Sequence, residues 1–262
     1  MAIVRQVVRN RVRNLTVVGA ASSGLDVDLL IAAGCASRVI APYVGAEGIA
    51  PIGPAFQAAA QAGEIEVWEL DEAMYYAGLR ASAQRLPFNP WRAGVGTSYP
   101  SVNPDLVEFS DPVKGERLLA IPAIEIDVAL LHASIADVFG NVQHNGTGYG
   151  DRAIHAAADS TVVSVERLVS REEIKRNPAA TSVPGADAVV RAPFGAHPFS
   201  SDGYYPPDEA ALREYVEAAR PLRDGNRGPM ERYLERYVYE PETHVAYLER
   251  MGMARLMSLS EY

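Results

Sequence analysis

Over residues 1–84 the chain alternates between β-branched runs and helical spacing. A helix predicted over 2–11 precedes the run "NLTVVGA" (14–20), and "LDVDLLIAAG" (25–34) reads as a short helix stopped by Gly34. "SRVIAPYVG" (37–45) is a second strand, "PAFQAAAQAG" (54–63) a helix with Gly63 as its C-cap, and "EIEVWEL" (64–70) a third strand. "DEAMYYAGLRASAQ" (71–84) follows as a helix with Asp71 at its N-cap. Strands joined through helices pair in parallel, because the crossover returns each strand to the same end of the sheet. The expected fold class is therefore α/β: an open, mostly parallel sheet flanked by helices, with ligands gathering at the carboxyl ends of its strands.

Residues 85–113, "RLPFNPWRAGVGTSYPSVNPDLVEFSDPV", interrupt the pattern with closely spaced prolines and glycines. A segment this long between regular elements is more often functional than idle. Strand signals resume at 116–123, 127–134, 159–169 and 186–193, and the sequence from 207 is helical and polar. The expected organisation is one α/β domain over 1–206, with a helical extension over 207–262 packed on that domain or on a partner.

Composition narrows the class of partner. With 48% apolar and 22% charged residues the chain is of the soluble globular type. A net charge of −9 argues against a nucleic-acid groove or an anionic membrane surface, though not against a small anionic ligand held locally. A single cysteine, Cys35, rules out an internal disulfide framework and fits a reducing, cytoplasmic setting. No transmembrane or secretory segment is expected. In "MAIVRQVVRNRVRN", Ile3, Val4, Val7 and Val8 share one helical face, which suits an amphipathic helix better than a serine-bearing presequence.

The loops after the strands carry the candidate chemistry. "ADVFGNVQHNG" (136–146) follows an apolar run and places Asn141 and Gln143 as amide donors. "YVGAEG" (43–48) brings Gly45 and Glu47 to a strand end, where Glu47 taken alone reads first as a solvated carboxylate. "RAGVGT" (92–97) holds Gly94, Gly96 and Thr97 but lacks a nucleotide-loop spacing, and "APFGAHP" (192–198) presents His197 among small residues. The five histidines show no ligand spacing, there is no GxSxG elbow, and no metal site is expected. The residues alone give ligand loops without a self-contained nucleophile, consistent with acyl or carbonyl chemistry.

At these loops the sequence resembles the A (alpha) subunit of class I coenzyme A transferases, in the glutaconate CoA-transferase-like branch. The resemblance rests on "NLTVVGAASSGLDVDLLIAAG", "RVIAPYVGAE", "AGEIEVWEL", "GLRASAQRLPFNPWRAGVGT", "VNPDLVEFSDPVKGERLLAIPAIEIDVALLHASIADVFGNVQ" and "APFGAHP", in order across about 14–220. It implies pairing with a homologous B subunit that carries the catalytic glutamate. It also implies transfer of CoA from an acyl-CoA thioester to a carboxylic acid, with no permanently bound cofactor and no metal. Glu47, Asn141, Gln143 and His197 then become expected substrate or oxyanion contacts, and Gly45, Gly94, Gly96 and Thr97 shape the loops. Within the "GN" turn, Asn141 fits turn geometry and Gln143 the substrate contact.

Two departures stand out. The A subunits of the family begin with a further strand and glycine-rich loop ahead of the helix at "MAIVRQ", so a sheet edge is expected to lie open here. Ala20 and Ala21 stand where some members have paired asparagines. A related branch hydrolyses the CoA thioester of a ring-opened steroid degradation intermediate with a glutamate where this chain has Asp105, which makes a hydrolase subunit the second reading. The rival for Asp105 itself is an Asx-type turn after Pro104. A non-catalytic binding or scaffold subunit is the third reading.

Overall fold

The alternation is present in the computed structural model, which describes residues 1–259. α1 (Ala2–Arg9) leads into β1 (Leu15–Val18), α2 (Leu25–Ala32), β2 (Ala36–Ile40), α3 (Pro54–Ala62), β3 (Glu66–Val67) and α4 (Glu72–Ala83). The three strands are parallel, in the order β1-β2-β3. Gly63 ends α3 at φ +68°, a left-handed conformation open to glycine. The Asp71 carboxylate accepts the Met74 amide at 2.7 Å and caps α4. β2 stops at Ile40, short of the predicted strand, and the chain turns through 41–53.

Residues 85–113 are not one irregular loop. β4 (Phe88–Trp91), the short α5 (Tyr99–Val102) and β5 (Val107–Ser110) lie in this stretch, and β4 and β5 flank β6 (Arg117–Pro122) in an antiparallel sheet. β4 is an edge strand, which is where a strand tolerates a proline such as Pro90.

The third sheet runs β10-β8-β7-β9-β11. β7 (Ile126–Ala136), β9 (Ala158–Leu168) and β11 (Ala188–Arg191) are parallel, while β8 (Val142–Gln143) and β10 (Thr181–Val183) add an antiparallel margin. α6 (Asp151–Ala157) and α7 (Arg171–Lys175) fill the connections. The α/β class holds, but the single open sheet is divided. β8 covers β7 only at Ile135 and Ala136, so the rest of that edge, like the outer edge of β1, pairs with no strand among the described residues.

The tail forms α8 (Glu209–Ala219), α9 (Gly228–Leu234), a π-helical turn at Glu235–Tyr239, α10 (His244–Met251) and α11 (Met253–Leu259). Leu212, Tyr215, Val216 and Val238 from the tail share an apolar core with Val8, Leu25 and Val39. Met74, Leu79, Leu119, Ala133 and Val165 form the other large core. No helix among the described residues is long and apolar enough to cross a membrane.

Candidate active site

The carboxyl ends of β7, β9 and β11 lie side by side, as their parallel register requires. Asn141 closes the turn after β7: its backbone and side-chain N–H groups donate to the Asp137 carboxylate at 3.0 and 2.8 Å. Gly140 takes φ +81°, and a Cβ there would sit 2.2 Å from the Ala186 carbonyl oxygen. Asn141 thus fastens the turn through both its backbone and its side chain. The Gln143 side chain is held within the protein. Its amide is 7% exposed and donates to the Ile174 and Asn177 carbonyls at 3.1 and 2.8 Å and to Thr181 Oγ1 at 3.2 Å. Its polarity holds the 174–181 connection to β8.

His197 is likewise held within the protein. It is fully buried, with Nδ1 2.8 Å from the Tyr247 hydroxyl and Nε2 3.1 Å from Asp208 Oδ2. Burial pulls its pKa down to about 4, against the opposing pull of Asp208, so the ring is neutral. Burial pushes Asp208 up, but Arg255, the Ala211 amide and His197 outweigh it and lower its pKa to about 2. The cluster ties the loop after β11 to the tail, and both ring nitrogens are already engaged.

The glycine loops are turns of defined shape. Gly45 is buried, donates to the Ser23 carbonyl at 2.9 Å, and has no room for a Cβ beside the Pro51 carbonyl. Glu47 projects from the next turn, exposed, with no hydrogen-bond or ion-pair partner among the described residues. Gly94 packs against Met74 and Leu119 at φ +90°, and Thr97 donates to the Gly94 carbonyl through its amide (3.1 Å) and its hydroxyl (2.6 Å). Gly96, at φ +76°, faces open space.

Asp105 has neighbours on one oxygen only. Oδ2 accepts the Trp68 indole N–H at 2.9 Å and lies 3.6 Å from the Arg38 guanidinium, which also pairs with Glu66 at 3.0 Å. The Asx-type bond belongs to the neighbouring Asn103, whose Oδ1 accepts the Asp105 amide at 3.2 Å. These residues occupy separate clusters, and among the described residues no hydrogen bond or ion pair links one cluster to another. Beside the Glu47 turn lies an open groove of about 300 Å³, lined in part by Ile49, Ile52, Gln57, Arg220 and Arg223. No three His, Cys, Asp or Glu side chains converge as metal ligands among the described residues.

Sequence reasoning missed a buried polar group on β7 and β9. Glu166 Oε1 accepts from His132 Nε2 at 2.8 Å and from the Tyr205 hydroxyl at 2.6 Å, while Oε2 accepts the Phe194 amide at 2.8 Å. Burial lowers the His132 pKa against the pull of Glu166. This carboxylate holds the 192–198 loop with Phe194 in the left-handed region at φ +55°. The available signal was a histidine directly after the apolar run "VALL" in β7 and a glutamate directly after "VVSV" in β9.

The sequence profile of the coenzyme A transferase family matches residues 1–192. The chain belongs to that family. It is of the A-subunit type, similar to the A subunit of glutaconate CoA-transferase from Acidaminococcus fermentans, at 31% identity over 98% of this chain and 84% of that one. The crystal structure of glutaconate CoA-transferase from that organism superposes with a TM-score of 0.90 at 29% identity, covering 98% of this chain and 85% of the other. The cholesterol ring-cleaving hydrolase IpdA subunit of Mycobacterium tuberculosis is 39% identical over 84% of this CoA-transferase-family chain and 78% of its own length.

Proposed function

We propose that this chain is the A subunit of a heteromeric CoA-transferase. In this reading a homologous B subunit supplies the glutamate that attacks the acyl-CoA carbonyl, forms a mixed anhydride, and then carries CoA as a thioester before passing it to an acceptor carboxylate. The observation behind the reading is the state of this chain's own carboxylates. A nucleophilic carboxylate needs an oxygen aimed at the thioester by fixed neighbours. Glu166 is buried under three donors, Asp105 is braced by Trp68 and Arg38, and Glu47 has no orienting partner among the described residues. That state is in keeping with a nucleophile on the B subunit. This chain contributes the walls, with Gly45, Glu47, Gly94, Gly96 and Thr97 lining the substrate approach and Asn141 shaping the turn beside it. Arg220 and Arg223 suit the phosphates of CoA in the groove. The chemistry calls for no resident metal or cofactor.

A CoA-thioester hydrolase is the second reading. The 39% identity to the IpdA chain favours it, as does Asp105 Oδ1, which takes no hydrogen bond among the described residues and could accept a proton from water. The relative's substrate class, a ring-opened steroid thioester, would then apply here.

One experiment separates these readings. The chain is co-expressed with a B-type partner, and the complex is treated with an acyl-CoA, then borohydride or hydroxylamine, and digested for mass spectrometry. Modification of a B-subunit glutamate supports transfer. Thioester loss without an acceptor that Asp105→Asn abolishes supports hydrolysis. Absence of both a complex and acyl-CoA turnover would leave the scaffold reading.

A further inference from the structure

A second set of reactive side chains lies at the antiparallel margin of the five-stranded sheet. His144 follows β8, Asp151 opens α6, and Ser182 sits in β10. His144 Nδ1 is 2.7 Å from Ser182 Oγ, and its Nε2 is 3.0 Å from Asp151 Oδ2. An ionised carboxylate only accepts, so the ring proton belongs on Nε2 and the Nδ1 lone pair faces the hydroxyl. Nucleophile, base and orienting carboxylate stand in that order, within hydrogen-bond reach of one another.

An irregularity in the sheet creates the arrangement. The register of β10 on β8 shifts between Thr181 and Val183, which face Gln143 and Val142, and Ser182 is the extra residue between them. A bulge of this kind turns a side chain out of the ladder and re-aims it. The Ser182 hydroxyl also has the Val142 carbonyl at 3.3 Å, a longer contact than the one to His144. The side chains of His144 and Asp151 are 12% and 22% exposed and Ser182 is half-buried, so the group is sheltered but reachable.

The loop "HNGTGYGD" (144–151) runs beside the pair. A Cβ at Gly148 would come 3.4 Å from His144 Nδ1 and 3.7 Å from Ser182 Cβ, so the loop passes within van der Waals reach of the pair. The amides of Thr147, Gly148 and Tyr149 donate to no acceptor among the described residues. Tyr149 is 83% exposed beside them.

We propose that Ser182, His144 and Asp151 form a serine-type acyl-hydrolase site for small activated esters or thioesters. Ser182 Oγ adds to the carbonyl carbon as its proton passes to His144 Nδ1, with the free loop amides as donors to the developing oxyanion. The carbon–oxygen or carbon–sulfur bond breaks, the leaving alcohol or thiol takes the proton from His144, and Ser182 is acylated. Water then gives a proton to His144 and adds to the acyl carbon. Ser182 leaves with that proton, and the carboxylic acid is released with no net redox change. The site uses neither a B subunit nor bound CoA, so it stands or falls apart from the transferase reading.

The test uses the full 262-residue chain. A fluorophosphonate probe is applied to the wild type, the modified residue is located by peptide mass spectrometry, and p-nitrophenyl acetate hydrolysis is followed in parallel. The expected adduct is on Ser182. Ser182→Ala should remove it and lower hydrolysis by roughly a hundredfold or more, His144→Gln should do the same, and Asp151→Asn should cost at least about tenfold. An unlabelled wild type, an adduct elsewhere, or full hydrolysis by a folded Ser182→Ala variant would overturn the proposal. Locating the adduct needs only the wild type, so the outcome does not depend on whether a variant folds.

Discussion

Asp28 is a carboxylate with no exposure, and its oxygens accept the Ala55 amide at 3.2 Å, the Phe56 amide at 2.7 Å and the Tyr215 hydroxyl at 2.7 Å. Burial raises its pKa, and the three donors oppose that rise. Asp28→Ala strands those donors, each at about 1–3 kcal/mol, so urea unfolding should show a loss of about 3 kcal/mol or more. Asp28→Asn keeps one acceptor and should lose less. His197 carries a pH prediction. Its pKa falls from an ordinary 6.5 to about 4 in the fold, so between those values the unfolded chain binds a proton that the native chain refuses. Its contribution is complete above pH 6.5 and is lost as the pH falls toward 4. Thermal melts across about pH 4–7 should show a flatter slope for His197→Gln, with His132 and His244, also lowered by burial, supplying the remainder. The environments of His197 and Gln143 were not legible in the sequence for one reason. Their partners, Asp208, Tyr247 and the 174–181 backbone, lie far along the chain, so a satisfied polar group looks like a waiting one.

The elements most legible in the sequence are those whose signal is local. Gly63 and Asp71 mark helix ends through their own backbone conformation and side chain, and "DVALLHAS" and "DSTVVSVERLV" mark buried parallel strands. β4 and β5 were hidden because Pro90 inside β4 and the prolines that flank β5, Pro104 and Pro112, obscure the alternation, and only pairing with β6 makes them strands. Ser182 was hidden because a bulge is a property of two strands together. The turn after β7 gives a prediction at this scale. Gly140→Ala combines a positive φ with a Cβ 2.2 Å from the Ala186 carbonyl oxygen, so either the link between β7 and β11 shifts or the turn unwinds. Differential scanning calorimetry should show destabilisation of about 2 kcal/mol or more, whereas Gly96→Ala, with open space around it, should pay only for its φ of +76°.

At the scale of the molecule, the tail is a wall of the first core rather than an appendage. Leu212, Tyr215 and Val216 of α8 pack with Val8 and Leu25, and the Arg5 guanidinium, itself 3% exposed, donates to the His197 carbonyl and stacks over Tyr247 at 3.5 Å. A chain ending at residue 206 should therefore elute as aggregate in size-exclusion chromatography, whereas the full chain should not. This closure also fixes when folding can finish. Arg9 donates to the Val238 carbonyl across 229 positions of sequence. At a ribosomal rate of about 5–20 residues per second, α1 is made roughly 10–50 s before the segment that covers it. During that interval its apolar stripe lacks the cover that the tail gives it in the fold.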